Sequence, residues 1–429
     1  MKQELNFAAH GLNGRINVPG DKSMTHRAIM LGSITPGKTQ ITHYLAAGDC
    51  WETILAFKHM GVNITATTNT LTIDGRSLNQ LKNPHISLNM GNSGTSTRLL
   101  MGLLVKQPFE INFIGDASLS QRPLLRVTKP LELMGAKIST QKGHLPAKIT
   151  PVSQLNGIQY RLPVASAQVK SALIFAALQA KSPSLIEEPI ATRDHTERLL
   201  SQFGINLKRQ GTIIEVIPQN QFQATKLNLP GDFSAAAFWL VAALITPKSH
   251  LILKDVGLNP TRTGLLRLLK RMGAKIIIKN YQNDYEPRGD LEVSSQCLHG
   301  IDVNAYDIPA AIDEIPLLVL AATQAKGVTK ITGAQELRVK ESDRIASVTR
   351  ELNQLGAKIT ELPDGFLVYG QTPLHGNDSV TLNSEGDHRL AMMLTVAALI
   401  TKGKVFLKNA SVIEISYPSF FRDLKQLIV

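Results

Sequence analysis

Small polar and charged residues cluster where predicted helices begin, and the first such stretch is residues 18–23, VPGDKS. A Pro-Gly turn there leads into the apolar residues 28–31, so Asp21 is expected to cap a helix. The free N–H groups and the positive dipole end of that helix would lie beside Lys22 and Arg27, which predicts an anion site. A solvated cap with two surface cations explains this one segment equally well.

The same placement of cations and small donors recurs at later helix starts. A cation there opposes the helix dipole, so repeated placement costs stability unless an anion binds. The recurrence therefore favours a functional role over ordinary capping. The residues concerned are Lys22, Ser23 and Arg27; Asn92, Ser93, Gly94, Thr95 and Arg98; Arg122; Ser166, Ala167, Gln168 and Lys170; Arg193; Arg262; Asp313 and Glu314; Lys340, Glu341 and Arg344; and Asp387, His388 and Arg389.

Three of these helix starts suggest particular chemistry. The small-residue loop around Gly94 would let backbone N–H groups approach a ligand closely, although a capped turn has the same composition. Ser166 and Gln168, beside Lys170, are interpreted as hydroxyl and amide donors to a substrate, with a cap and a surface amide as the alternative. Asp313 could simply complement the dipole. Buried among cations, it would instead stay ionised and could accept a proton.

The chain is a repeat of one supersecondary unit, which determines the fold prediction. Six segments, at intervals of roughly 65 to 80 residues, contain an apolar helix, a Pro/Gly/Lys turn, a β-rich run and a second helix. In five of them a Gly then caps the second helix and a hairpin follows. The unit reads βαβαββ, and the fold class is α/β (α+β).

The two halves of the sequence also resemble each other. The stretch LPGDFS at 229–234 repeats the pattern of VPGDKS at 18–23, and both lead into an apolar helix. We therefore predict two lobes of three units each, with boundaries near residues 20 and 230. One lobe comprises 1–19 and 231–429, and the other comprises 20–230. The length of 429 residues agrees with two domains.

Composition limits the class of protein and its partners. With 43% apolar and 19% charged residues, no apolar run of membrane-spanning length and no signal peptide, a cytoplasmic globular protein is expected. Cys50 and Cys297 are isolated, which fits a reducing compartment. The net charge of +12 predicts anionic partners. Nucleic acid is disfavoured, because the cations are dispersed and aromatic residues are only 5% of the chain.

One motif is rejected. Residues 32–39, GSITPGKT, satisfy the phosphate-loop pattern GxxxxGK[ST], but a true phosphate loop follows a strand and opens a helix. Here an apolar helix comes first and a β-rich run follows. His26, His195 and His388 have no metal-ligand spacing, and no metal site or Ser/His/Asp arrangement is predicted.

Over essentially its whole length the sequence resembles the 3-phosphoshikimate 1-carboxyvinyltransferase (5-enolpyruvylshikimate-3-phosphate synthase) family. The matching motifs, in order, are GDKS at 20–23, GNSGT at 91–95, QRP at 121–123, SAQVK at 166–170, RVKESDR at 338–344 and DHR at 387–389. RDHTE at 193–197 and NPTR at 259–262 resemble the subgroup called class II, which is often glyphosate-tolerant. Many tolerant members have Ala where this chain has Gly94, so the two signals on glyphosate disagree.

The resemblance implies a fold, a reaction and a set of site residues. The fold would be a two-lobed inside-out α/β barrel, in which helix starts from both lobes face one cleft. The reaction would transfer the enolpyruvyl group of phosphoenolpyruvate to the 5-hydroxyl of shikimate 3-phosphate, releasing phosphate, without metal or organic cofactor, in a monomer. Shikimate 3-phosphate would be held by Lys22, Ser23, Arg27, Ser166, Ala167, Gln168, Arg193, Asp313 and Lys340. Phosphoenolpyruvate would be held by Lys22, Gly94, Arg122, Gln168, Arg344 and Arg389.

The resemblance likewise implies the catalytic groups. Asp313 would accept the hydroxyl proton, Glu341 would protonate the methylene carbon, and Lys22 would offset the charge of the departing phosphate. Glu336 and Ile415 occupy positions where another branch of the family has Asn and Lys, and neither is assigned a contact.

Alternatives remain open at this point. The related carboxyvinyltransferase that acts on UDP-N-acetylglucosamine typically uses a reactive loop Cys, which neither cysteine here matches by context. An RNA-binding or RNA-end-processing protein of related fold would bind RNA with steep salt dependence. A catalytically inactive binding lobe is disfavoured by the presence of both Asp313 and Glu341.

Overall fold

In the computed structural model, which describes residues 2–5 and 11–429, short strands alternate with helices along the whole chain. The strands are β1 Lys2–Glu4, β2 Asn13–Asn17, β3 Gly37–Thr42, β4 Asn63–Ala66, β5 Thr70–Gly75, β6 Leu88–Asn89, β7 Ile111–Ile114, β8 Lys137–Gln141, β9 His144–Thr150, β10 Gln159–Arg161, β11 Ser184–Glu187, β12 Lys208–Gln210, β13 Ile213–Val216, β14 Lys226–Asn228, β15 His250–Gly257, β16 Ile276–Asn283, β17 Pro287–Ser294, β18 Asp302–Val303, β19 Val328–Ile331, β20 Lys358–Leu362, β21 Gly365–Tyr369, β22 His375–Asn383 and β23 Lys402–Lys408. The helices are α1 Lys22–Ser33, α2 Gly48–His59, α3 Gly94–Leu104, α4 Ala117–Ser120, α5 Leu125–Leu133, α6 Ala167–Ala177, α7 His195–Gln202, α8 Phe233–Ile245, α9 Gly264–Arg271, α10 Ile315–Gln324, α11 Arg344–Gln354, α12 His388–Ala398 and α13 Phe420–Leu427, with 3-10 turns at Leu78–Gln80, Gln335–Val339 and Ala410–Ile415.

The strands form six small sheets of one design. In the orders β6-β7-β9-β8, β10-β11-β13-β12 and β18-β19-β21-β20, the first strand of the repeat runs parallel to the second, and the hairpin pairs antiparallel on the other side. Burial alternates along the strands, as in β9, so each sheet buries one face. The predicted βαβαββ repeat is confirmed in these units.

The remaining sheets are completed by strands from elsewhere in the chain. β14 runs parallel to β3, and β2 runs parallel to β15, so each supplies the first strand of a repeat that it does not precede directly. The last sheet has three strands, β1-β23-β22, with β1 antiparallel to β23. The sixth repeat therefore lacks its own hairpin and ends in α13.

The two helices of each repeat differ in burial, which explains the arrangement of layers. The first helices are apolar on almost every side: in α8 every residue except the last, Ile245, is buried. A second helix such as α9 buries only one face, with Leu265, Leu268 and Leu269 inside and Arg267 outside. The first helices thus form the interior and the sheets cover it, the inside-out α/β barrel arrangement that was expected.

Contacts divide the chain into two compact units, one comprising Gly20–Leu229 and the other comprising the residues up to Pro19 together with Pro230–Val429. The chain passes between the units twice, and we call these two points the first and second crossing. At the first crossing, a side chain on Gly20 would meet the carbonyl oxygen of His43 at 1.7 Å, so only Gly fits there. At the second, the Gly231 N–H donates to the Asp255 carbonyl at 2.8 Å. The second crossing lies one residue before the position suggested by sequence.

Two local predictions are confirmed by the backbone. The five glycines expected to end second helices, Gly61, Gly135, Gly204, Gly273 and Gly356, all have φ between +82° and +101°, the conformation of a helix C-cap. Residues 32–39 lie at the end of α1 and the start of β3, the reverse of a phosphate loop. No helix within the described residues is long and apolar enough to cross a membrane.

Candidate active site

The start of α1 carries the first group of predicted residues. Asp21 caps the helix, accepting from the Met24 N–H at 2.8 Å. Lys22, in the first turn, forms an ion pair with Asp49 at the start of α2. The hydroxyl of Ser23 accepts from Arg193 at 3.4 Å. Two predicted cations and a hydroxyl therefore meet at this helix start. Asp49 was not singled out in the sequence, because an acid in a first turn is an ordinary complement to the helix dipole.

Arg27 lies deeper in the same unit. It is buried, and its guanidinium donates to the Thr196 hydroxyl at 2.7 Å, the Ser171 hydroxyl at 2.8 Å and the Ser23 carbonyl at 3.0 Å. These partners stand on α7, α6 and α1, so Arg27 joins three helices. Its position beneath Ser23 extends the positive charge of the helix start into the interior.

The start of α3 forms a second group. Ser93 caps the helix, and Gly94 follows as its first residue. A side chain on Gly94 would meet the Arg98 guanidinium at 2.6 Å and that of Arg122 at 3.4 Å, so the Gly permits both cations to lie over this turn. The Asn92 side chain accepts from Arg122 at 2.5 Å. Gly94 and Arg122, predicted from separate motifs, are thereby brought together.

The start of α6 joins the second group through its amide. Ser166 caps this helix weakly, at 3.4 Å from the Val169 N–H. Gln168 accepts from Arg98 at 2.9 Å and donates to the Thr95 hydroxyl at 3.0 Å. Ala167 is the first residue of the helix. Arg98, which the sequence placed at a helix start without assigning it a ligand, is thus the link between Gln168 and Gly94.

Lys170, which the sequence places among the cations at helix starts, is paired inside its own unit. It is fully buried, and its ammonium lies 2.8 Å from Glu197 and 3.2 Å from Glu188. Two carboxylates satisfy this charge inside the unit, so it is a structural cation of α6, and only Ser166, Ala167 and Gln168 of that motif remain candidates.

A buried chain of polar side chains connects the starts of α1, α2 and α3. His26 Nδ1 lies 2.8 Å from the Thr53 hydroxyl, which lies 2.8 Å from Ser96, and Ser96 lies 2.7 Å from Ser93. Burial lowers the pKa of His26 to about 3, so the imidazole is neutral at physiological pH. This network of hydrogen bonds connects the three helix starts without adding charge.

In the other unit, four cations surround Asp313. Its carboxylate oxygens lie 3.5 Å from Arg344, 3.8 Å from Arg262, 3.8 Å from Arg389 and 3.9 Å from Lys340. The carboxylate is only 12% exposed, so water screens these interactions little. Four of the predicted residues, Asp313, Lys340, Arg344 and Arg389, therefore form one cluster. Arg262, which the sequence placed at a helix start without a ligand, is its fifth member.

Arg344 is the most strongly paired cation of the cluster. It lies 2.7 Å from Asp387 and 2.7 Å from Glu341. Burial disfavours the cation, but the charges of Asp387 and Glu341 raise the pKa of Arg344 above its ordinary value. Burial also opposes the charge of Asp387, yet Arg344 holds the pKa of Asp387 below its usual range. Both groups therefore remain charged, and Glu341 is fixed beside them.

The arrangement in each unit can bind anions. The first turns of α1, α3 and α6 supply backbone N–H groups together with Lys22, Arg122 and Arg193. The Asp313 cluster supplies guanidinium and ammonium groups beside a carboxyl side chain, a group that can act as a base. Guanidinium groups suit phosphate and carboxylate ligands, because they donate two parallel hydrogen bonds.

Solved structures show which class this fold defines. The chain superposes on the EPSP synthase of Acinetobacter baumannii with a TM-score of 0.88 and 41% identity, over 99% of this chain and 98% of the other. It also superposes on the enolpyruvyl transferase NikO from Streptomyces tendae with a TM-score of 0.79 over 98% and 96% of the two chains. The second pair shares only 17% identity, so it shows the fold alone. The fold is that of the enolpyruvyl transferases.

Sequence relatives narrow the class to one family. The EPSP synthase (3-phosphoshikimate 1-carboxyvinyltransferase) family model matches residues 8–424. The 3-phosphoshikimate 1-carboxyvinyltransferase of Leuconostoc citreum is 52% identical over 424 residues, covering 98% of each chain. The chain belongs to the EPSP synthase family.

Proposed function

We propose that the protein transfers the enolpyruvyl group of phosphoenolpyruvate to the 5-hydroxyl of shikimate 3-phosphate and releases phosphate, a step of chorismate and aromatic amino acid biosynthesis. The observation that carries the proposal is the Asp313 cluster, where one carboxylate lies within 3.5–3.9 Å of four cations. A base held among cations suits a reaction in which both substrates are multiply charged anions. Family membership supports the same reaction.

Each substrate is assigned residues that offer matching donors. For shikimate 3-phosphate these are Lys22, Ser23, Arg27, Ser166, Ala167, Gln168, Arg193, Asp313 and Lys340. For phosphoenolpyruvate they are Lys22, Gly94, Arg122, Gln168, Arg344 and Arg389. The first-turn position of Gly94 in α3 supports its role, since backbone N–H groups at a helix start bind phosphate.

The proposed chemistry is addition followed by elimination. The 5-hydroxyl oxygen attacks the second carbon of phosphoenolpyruvate and its proton passes to Asp313, while Glu341 gives a proton to the methylene carbon. The resulting tetrahedral ketal then loses a proton from the new methyl group and expels phosphate, whose charge Lys22 offsets. No redox partner is needed.

The contact between Glu341 and Arg344 bears on when the acid becomes available. At 2.7 Å, the Arg344 guanidinium engages the Glu341 carboxyl. An anionic substrate that takes Arg344 would weaken this contact, so binding of phosphoenolpyruvate prepares the acid for its step.

We also infer that the enzyme acts as a monomer in the cytoplasm. The exposed free thiol of Cys297 suits a reducing compartment.

The test is phosphate release from phosphoenolpyruvate, measured with and without shikimate 3-phosphate. We expect release only when both are present, and none when UDP-N-acetylglucosamine replaces shikimate 3-phosphate. Asp313→Asn should lower kcat by about 10²- to 10⁴-fold, the loss typical of removing a general base.

The matched control is Asp307→Asn, which removes a carboxylate that pairs with the half-exposed Arg271 at 2.9 Å. This variant should keep normal turnover. Normal turnover in Asp313→Asn, or release that does not depend on shikimate 3-phosphate, would contradict the proposal.

A further inference from the structure

Glu314, the neighbour of Asp313, is a buried carboxyl that the proposed chemistry leaves without a role. It is 1% exposed and stands at the N-cap of α10. The Ser234 hydroxyl donates to its Oε1, and Arg389 Nη1 lies 3.8 Å from the same oxygen. Its Oε2 is buried and has no hydrogen-bond partner within the part of the chain that the structure describes. Both of these polar contacts are therefore made by one oxygen of the side chain.

Arg389 and Arg262 each link the two neighbouring acids, Asp313 and Glu314. Arg389 contacts both acids, and Arg262 contacts Asp313 and the hydroxyl that bonds Glu314. Arg389 lies 3.8 Å from Asp313 through one nitrogen and 3.8 Å from Glu314 through the other. Arg262 lies 3.8 Å from Asp313 and donates to Ser234 at 2.6 Å, the hydroxyl that bonds Glu314. The two acids thus compete for the same guanidinium groups.

The protonation state of Glu314 decides how strongly it competes. Burial raises the pKa of Glu314, and the charge of Asp313 raises it further, whereas Arg262 and Arg389 oppose the shift. Among the residues that the structure describes, these three are the charged groups that chiefly act on Glu314, while Arg344 pairs with Asp387 and Glu341. An ionised Oε2 without a partner would cost more than a neutral one. The neutral acid therefore persists to higher pH than for an ordinary glutamate.

We propose that Glu314 is a positioning residue for Arg389: its Oε1, 3.8 Å from Arg389 Nη1, limits where the guanidinium can lie, and the neutral acid leaves the positive charge available to the anionic substrate. When Glu314 ionises at higher pH, the new anion binds Arg389 more tightly and substrate must compete for it. The proposal rests on the proposed function, in which Arg389 holds phosphoenolpyruvate. It predicts that the affinity for phosphoenolpyruvate, and not that for shikimate 3-phosphate, depends on Glu314.

The experiment compares wild type, Glu314→Gln and Glu314→Ala in full kinetics between pH 6 and pH 9. Glu314→Gln keeps the shape of the neutral acid but cannot ionise. Its KM for phosphoenolpyruvate should therefore rise less with pH than that of wild type. At pH 9 the KM of the variant should be lower than that of wild type by about 5-fold or more. Glu314→Ala removes the contact with Arg389 and should raise the KM for phosphoenolpyruvate about 10-fold at every pH, with the KM for shikimate 3-phosphate unchanged.

The control is Glu351→Gln, which neutralises another buried carboxyl of the same unit. Glu351 accepts from Arg350 and from the Asn383 N–H, each at 2.8 Å, and so has partners other than the Asp313 cluster. Its pH profile should follow wild type. The proposal is overturned if Glu314→Gln also follows wild type, or if the Glu314 variants raise the KM values of both substrates equally, as a general structural defect would. If wild-type protein releases no phosphate from phosphoenolpyruvate, either with shikimate 3-phosphate or with UDP-N-acetylglucosamine, that result contradicts the proposed function instead.

Discussion

At the scale of single residues, the protein keeps several charges out of water by pairing them completely. Lys170 lies between two glutamates, and Arg344 lies against Asp387, Glu341 and Asp313. A buried charge that loses its partner is far more costly than one at the surface. A change that breaks one of these pairs should therefore lower the stability of its unit and also move nearby residues assigned to substrates.

Replacement of Asp387 should show this connection. The side chain is fully buried, bonds Arg344 and caps α12. Asp387→Asn leaves Arg344 without its main counter-charge, so it should lower the free energy of unfolding by about 3–5 kcal/mol at pH 7. Urea unfolding at pH 7 would measure the loss.

The free energy of unfolding should depend on pH in a direction set by the ionisation of Asp387. Because the folded-state pKa of Asp387 is lowered, its stabilisation is complete above the ordinary carboxyl pKa and is lost as pH falls through the folded value. The difference between wild type and Asp387→Asn should therefore shrink below about pH 4. A difference that stays constant from pH 7 to pH 3 would show that lost packing, and not lost charge, causes the destabilisation.

At the scale of secondary-structure elements, the first helices both form the interior and present the candidate site at their starts. α3 packs on α6 so closely that a side chain on Gly102 would meet the Ala172 carbonyl oxygen at 2.0 Å. Both helices begin with assigned residues, Gly94 in α3 and Ala167 in α6. A change in the distance between these helices would consequently move the donors at their N-termini.

Gly102→Ala tests the importance of this contact. The obstacle is backbone, which cannot rotate away, so the helices must separate, and we expect a loss of about 1–3 kcal/mol in unfolding free energy. The KM for phosphoenolpyruvate should rise as well. The control is Gly257→Ala in β15, where the nearest atom would lie at 3.3 Å. Equal stability of the two variants would contradict the packing argument.

At the scale of the whole molecule, the two units differ in how they obtain their strands. The sheets of Gly20–Leu229 use only strands from that segment, β3 to β14. The sheets that contain β15 and β23 require β2 and β1, from the residues before Pro19. One unit is continuous in sequence, whereas the other is completed by a segment more than two hundred residues away from its partners.

Fragments should reproduce this difference. We expect residues 20–229 to unfold cooperatively on their own, as followed by circular dichroism in urea. Residues 230–429 alone should lack a cooperative transition, because two sheets miss a strand. The same fragment followed by a flexible Gly/Ser linker and residues 2–19 should regain it. A cooperative transition in 230–429 alone would contradict this prediction.

Local signals made much of the fold predictable, whereas contacts distant in sequence did not. The C-cap glycines and the capped helix starts have short-range signatures, and the repeat made each one easier to recognise. The strand β14 has three residues and no periodicity, so its pairing with β3 could not be read. The pairing of Lys170 was hidden for a related reason, since its two carboxylate partners stand 18 and 27 positions further along the chain.

The pairing of β1 with β23 and of β2 with β15 has a consequence for how the protein is synthesised and folded. β1 and β2 leave the ribosome long before their partner strands, because Lys2 pairs with Lys408 and Asn13 with His250. Segment 20–229 can complete its sheets during translation, because domains fold as units and the N-terminal part emerges first. β2 must wait with unpaired backbone until β15 has been synthesised, and β1 must wait until β23, near the end of the polypeptide, has followed. During that interval their unpaired backbone groups are open to chaperones and proteases.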